Sequence, residues 1–151
     1  MSLGCYIRAY LYSNLISKYA RQTFPGKQFA RPQNHWVFGS LGFKSKPYKC
    51  DSLETSGIQE VTWNFHVAPI IKLGNEYYIL DPSVSATPII KSAWYRSISQ
   101  RDKAHITGYV TCKENTVRIG DDDCQSSQFD ENKNKDHMAF LTDEIDKFLE
   151  L

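Results

Sequence analysis

The stretch WNFHVAPIIKLGNEYYILDP, Trp63 to Pro82, constrains the fold more than any other part of the chain. Val61 to Leu73 is a long run rich in β-branched and aromatic residues, the strongest strand signal in the sequence. Gly74-Asn75 is a two-residue hairpin turn, and Glu76 to Leu80 is the returning strand. Asp81-Pro82-Ser83 ends it, because proline cannot donate to a ladder. This turn sets the register. Leu73 faces Glu76, Ala68 faces Asp81, and His66 faces residue 83. His66 and Asp81 are then diagonal neighbours at about 7–8 Å between backbones, within side-chain reach. Strict alternation puts Trp63 on the face of Phe65 and Val67, away from His66, and favours a core role for it. Trp63 and Trp94 are the tryptophans that could line a substrate cleft; Trp94 and Trp36 have no assigned role at this point.

Around this hairpin the elements order themselves. Cys5 to about Arg21 reads as a helix, with Tyr6, Ile7, Tyr10, Leu11, Leu15, Ile16 and Tyr19 at helical spacing and Pro25-Gly26 as its stop. Ser2 and Gly4 suit a helix start and put Cys5 at or near its N-terminus. Lys27–Ala30 and His35–Phe38 look like short strands, and Gly39 to Gly57 like a long loop. Ile89 to Ile98 reads as a short helix behind Pro88. His105–Thr111 and Thr116–Ile119 read as strands, and Gly120 to Lys135 as an acidic surface loop. His137 to Leu149 reads as a terminal helix with Asp136 as its N-cap. Helix, strands, then helix is an α+β layout with an antiparallel sheet.

The chain's 151 residues suit one domain, residues 1–151, able to bury a core without metal or disulfide staples. Met1-Ser2-Leu3 reads as an added start, so the domain is expected to be cut from something longer. A net charge of +1 argues against an electrostatic nucleic-acid binder. No apolar run is long enough to span a membrane, and no secretory signal is visible. None of the four cysteines, Cys5, Cys50, Cys112 and Cys124, forms a CxxC pair, so no zinc site is expected. Cys112 and Cys124 flank a short polar segment and could pair, although spacing alone does not fix connectivity. Asp121-Asp122-Asp123 lacks the rest of a calcium loop and reads as solvated.

The chemistry lies in Cys5, His66 and Asp81. A cysteine at a helix N-terminus has its thiolate favoured by unpaired N–H groups and the helix dipole. A histidine can hold the proton as imidazolium, and an aspartate on its other ring nitrogen fixes tautomer and orientation. Taken singly, each has an ordinary reading: a small buried cysteine, a hydrogen-bonded strand histidine, a strand-ending aspartate. Together, in this order, they raise the catalytic reading to a level with the structural one. His35, between Asn34 and Trp36, could line a cleft but has no acidic partner at hairpin distance. His105 and His137 head a strand and a helix and are expected to be exposed.

Three blocks carry a resemblance. GCYIRAY around Cys5, WNFHVAPII around His66 and ILDPSV around Asp81 resemble the motif blocks of bacterial protein-glutaminases. IIKSAWYRS resembles the short tryptophan-bearing helix after the aspartate in that family, and HITGYVT one of its strands. The resemblance runs from about Gly4 to Ile119. It departs from the secreted members in starting almost at the cysteine, and in having only Cys50 where they have paired cysteines.

The resemblance implies a papain/transglutaminase-like cysteine enzyme with no cofactor and no metal. Cys5 would attack a glutamine side-chain amide of a protein, His66 would serve as acid and then base, and Asp81 would orient His66. Helix N-terminal amides, including that of Cys5, would meet the oxyanion. The expected protein is secreted or delivered into a target cell as a bacterial toxin or effector, its partners a protein substrate with an accessible glutamine and an immunity or host target protein. No nucleic acid or membrane partner is expected. Rival readings are a transglutaminase or thiol protease of the same fold, and a non-catalytic binding module on this scaffold.

Overall fold

The structure is a computed structural model; it describes residues 4–28, 30–45, 59–100 and 102–113, together with residues 124, 132, 135, 136, 139 and 142, and for residues 4–7, 44–45 and 59–61 it describes the backbone only. The order is α1 (Gly4–Thr23), β1 (Gln33–Ser45), β2 (Gln59–Leu73), β3 (Glu76–Ile79), β4 (Ile89–Ile90), α2 (Lys91–Ile98) and β5 (His105–Lys113). The strands form one sheet in the order β4-β3-β2-β1-β5, and every neighbouring pair is antiparallel. This is the expected α+β architecture.

A helix covers each face. Ala9 of α1 packs on Trp36, Val67 and Cys112, with Phe38, Phe65 and Val110 around them. Trp94 and Ile98 of α2 pack on Val37, Leu41, Ala68, Ile70 and Ile79. Among its described side chains, from Arg8 onward, Ala9 and Ser13 are the buried ones, whereas Tyr19 is exposed. Small residues let the helix approach the sheet closely, and the Ser13 hydroxyl donates to Asn34 Oδ1 at 3.2 Å. The helix ends as expected before Pro25-Gly26, with Gly26 at φ 81°.

The hairpin register is the one the turn dictates: Leu73 pairs with Glu76 and Ile70 with Ile79. Gly74 takes a positive φ of 60° and Asn75 does not, the pattern of a II′ turn.

Several expectations need correction. Residues 27, 28 and 30 are not in a strand. The loop expected from Gly39 begins instead as strand, since β1 runs on to Ser45; residues 46–58 lie outside the described residues. The reason is a bulge. Opposite β5 the register shifts between Phe38 and Gly39, and opposite β2 it shifts between Phe38 and Leu41. At Gly39, φ is +136° and an added Cβ would lie 2.1 Å from the His105 carbonyl oxygen, so this glycine is a close-packed strand residue and not a loop signal. Ile89 and Ile90 pair with β3, and the helix starts only at Lys91. His105 heads β5 and is exposed, as expected. Thr116–Ile119, most of the acidic segment, His137 and most of the terminal helix lie outside the described residues. Lys135, Asp136, Ala139 and Thr142 are helical, so Asp136 stands within a helix rather than capping it. Cys112 at the end of β5 is joined to Cys124 by a disulfide with a Cα–Cα separation of 5.6 Å.

Candidate active site

Pro69 explains where the β2–β3 ladder stops. Its carbonyl accepts from the Leu80 amide at 3.0 Å, but it has no N–H to return the bond. Regular pairing therefore ends at Ile70–Ile79, and the chain leaves the sheet after Leu80. Asp81 turns inward where the sequence register alone would keep it opposite Ala68.

The turn after Asp81 is built on Asp81 itself. Its backbone carbonyl accepts from the amides of Val84 at 3.0 Å and Ser85 at 2.8 Å. Its Oδ1 accepts from the Ser83 amide at 3.1 Å, an Asx-type turn, and from the Ser83 hydroxyl. The other oxygen, Oδ2, lies 2.7 Å from His66 Nε2 and accepts the indole N–H of Trp94, also at 2.7 Å. Both carboxylate oxygens are thus held. His66 is 2 % exposed and Trp94 fully buried. Burial pushes the Asp81 carboxyl upward. The neighbouring His66 charge and the hydrogen bonds from His66, Ser83 and Trp94 outweigh it and hold the group below the usual carboxylate range.

The His66 ring is also fixed by stacking. Trp63 lies on it at 4.2 Å between centroids and 15° between planes, and Trp94 at 5.7 Å and 28°. Trp63 is therefore not turned away from His66, as strict alternation requires. Trp63 packs with the α2-side core and Phe65 with the α1-side core, although only one residue separates them. The switch coincides with the β1 register shift, where Leu41 comes to pair with Trp63.

Arg8, Ala9 and Tyr12 of α1 line a small cleft together with His66 to Pro69 and Leu80 to Ser83. Cys5 is the second residue of α1. It precedes Arg8 by three positions and Ala9 by four, and so falls on the same helix face one turn nearer the N-terminus. Of the three candidate residues, His66 and Asp81 are in direct contact, and the backbone of Cys5 lies in the first turn of the helix that walls their cleft.

His35 belongs elsewhere. It is buried on the α2 side, with Nδ1 2.7 Å from the Thr111 hydroxyl and Nε2 2.6 Å from the Tyr95 hydroxyl. Burial, then the charge of Lys91, lowers its pKa from 6.5 to about 4, so it is neutral near pH 7. Burial and the nearby Tyr109 raise Tyr95 to about 12.

Sequence reasoning missed Trp94 and Ser83 as partners of Asp81. Signals existed for both: a buried indole needs an acceptor for its N–H, and Asp-Pro-Ser is Asx-turn chemistry. Among the described residues no three His, Cys, Asp or Glu side chains are grouped to hold a metal. No described helix is long and apolar enough to cross a membrane.

The fold has counterparts in known proteins. The solution structure of protein-glutaminase from Chryseobacterium proteolyticum superposes with a TM-score of 0.61 at 22% identity, over 92% of this chain and 67% of that one. A crystal structure of protein-glutaminase gives 0.54 at 22% identity over 75% of this chain, and a pro-protein-glutaminase gives 0.55 over the same share. The chain spans 55% and 36% of the length of those two proteins. No curated protein sequence matches it. Residues 1–98, about two thirds of the chain, match the family model for glutaminase. With that match and a fold shared with the protein-glutaminases, the chain belongs to the glutaminase family.

Proposed function

We propose that the chain, as a single catalytic domain, deamidates glutamine side chains of a protein substrate, with Cys5 as nucleophile, His66 as acid and base, and Asp81 as the group that orients His66. The observation that carries this reading is the buried His66–Asp81 pair in a cleft walled by the first turns of the helix that has Cys5 as its second residue. Family membership and the shared fold support it.

The chemistry follows from which atoms are taken. Asp81 engages His66 at Nε2, so Nδ1 is the nitrogen that exchanges protons with the reacting groups. The Cys5 thiolate attacks the glutamine Cδ, and the amide oxygen becomes an oxyanion facing the helix N-terminal amides. Imidazolium gives its proton to the amide nitrogen, the C–N bond breaks, and ammonia leaves a thioester. Neutral His66 then takes a proton from water. The hydroxide attacks the thioester, the C–S bond breaks, and glutamate and the thiolate–imidazolium pair are released.

The Cys112–Cys124 disulfide supports an oxidising destination, which favours a secreted enzyme over one working in a reducing cytosol. Delivery into a target cell as a toxin or effector, with a host target or immunity protein as partner, is the narrower form of the same proposal.

The test is ammonia release from a casein, wild type beside Cys5→Ala, with mass spectrometry reading the amide-to-acid conversion. Release by wild type alone is expected. Equal release by Cys5→Ala, ammonia release with amine incorporation in place of the amide-to-acid conversion, or peptide cleavage without ammonia, would overturn the reading.

A further inference from the structure

A second cleft lies further along the seam between α1 and β2, with its Ala20 about 16 Å from Ala9 of the first by the rise of α1. Its volume is ≈ 340 Å³, within the range of ligand sites. Arg21, Lys27, Arg31 and Lys72 line it, and among the described residues no lining residue is acidic; Glu76, opposite Leu73 at the turn, is the nearest acid in the hairpin register. In a chain of net charge +1 this is a local concentration of positive charge.

The floor and surroundings are apolar. Ile16, Pro32 and Ile71 contribute to the lining. Leu73 at the rim is 56% exposed, and Phe24 and Tyr77 close by in the chain are 46% and 41% exposed. Lys27 sits 5.8 Å from the Phe24 ring, and Tyr77 is flanked by Lys72 at 5.6 Å and Lys91 at 5.1 Å. Exposed aromatics interleaved with cations are the composition of a protein-docking surface.

We infer that this cleft is an exosite for an acidic segment of the protein substrate, an inference that rests on the deamidation reading. Lys72 is six residues from His66 on the same strand, a span of about 20 Å. An extended substrate bridges that span with about six residues of its own. Acidic side chains would meet the cations while the glutamine enters the cleft at His66. The attraction is between exposed charges and fades with added salt.

The experiment compares two synthetic peptides, each with one glutamine. One carries a run of glutamates about six residues away, made with the run on either side; the other has serines in its place. Ammonia release is measured with wild type and with the double variant Lys72→Glu, Arg21→Glu, at low and high salt. Wild type at low salt should favour one acidic peptide by about tenfold in kcat/KM. That preference should vanish in the double variant and at high salt, with the serine peptide unchanged throughout. Equal turnover of both peptides, or a preference that survives charge reversal, overturns the inference.

If neither peptide releases ammonia, the deamidation reading fails for these substrates and binding decides the exosite. Fluorescence anisotropy of the labelled acidic peptide is then read on Cys5→Ala with and without the two reversals. Binding lost on reversal supports the exosite; unchanged binding, or a cleft taken by self-association that the peptide does not displace, overturns it.

Discussion

His66 and His35 are both buried, on adjacent strands of one sheet, and both meet Trp94, at 5.7 Å and 6.0 Å between rings. What differs is the partner at Nε2. His66 has a carboxylate there at 2.7 Å, and His35 has the Tyr95 hydroxyl at 2.6 Å. A carboxylate stabilises the charged ring and lets it cycle between acid and base. Two hydroxyls satisfy a neutral ring without stabilising its charge, and burial keeps His35 neutral down to about pH 4. Burial alone does not make a histidine catalytic. The proposed role of His66 draws on a charged partner and access to a cleft, and of the two only His66 lines the cleft beside α1.

Substitutions should separate the two sites. His66→Ala has the largest expected effect: kcat/KM for glutamine deamidation falls by about 10³–10⁴ while circular dichroism stays native. Asp81→Asn comes next, with a loss of about 10²–10³, because an amide nitrogen presented to His66 disturbs both tautomer and orientation. Native turnover in either variant breaks the comparison at once. Trp94→Phe keeps a ring but removes the N–H on Asp81 Oδ2. A hydrogen bond to a charged group contributes about 1.5–3 kcal/mol, so kcat should drop roughly tenfold or more with KM little changed. Trp36→Phe, at a tryptophan buried in the other core, is the control for packing and should leave kcat near wild type.

His35→Gln has the smallest expected effect on turnover and a clear one on the pH dependence of stability. The unfolded chain takes up a proton at His35 below about pH 6.5, and the folded chain does not until about pH 4. The associated stability is complete above 6.5 and is lost as pH falls across that window, in total on the order of 3 kcal/mol. Denaturant titrations at several pH values should show this loss in wild type and not in His35→Gln. The Asp81 carboxyl, held low in the folded state, contributes stability that is lost only at more acidic pH, below the ordinary carboxylate range. The two contributions are therefore separable.

The parts of the molecule legible in the sequence are those governed by local rules. Gly74-Asn75 fixed the hairpin register, and Leu73 does face Glu76. The Cys112–Cys124 pairing was one of the open options and is the one present. The closeness of His66 and Asp81 followed from counting along that register, although the actual contact needed Pro69 to end the ladder. What stayed hidden depends on residues distant in sequence. Gly39 resembles a loop residue until β5 is packed against it at the His105 carbonyl. Trp63 stacks on His66 at the point where the β1–β2 register shifts, which no pattern within β2 reveals. Trp94 found Asp81 because β4 carries α2 back over the sheet.

The proposed deamidation depends on the His66–Asp81 pair acting on Cys5. The most direct measurement is the rate of Cys5 alkylation by iodoacetamide against pH, in wild type and in His66→Ala, with the labelled peptide identified by mass spectrometry. A thiolate paired with an imidazolium reacts well below the ordinary thiol range of about pH 8.5. Such a low-pH plateau is expected in wild type, with its displacement toward the ordinary range in His66→Ala. Superimposable profiles in the two proteins would contradict it.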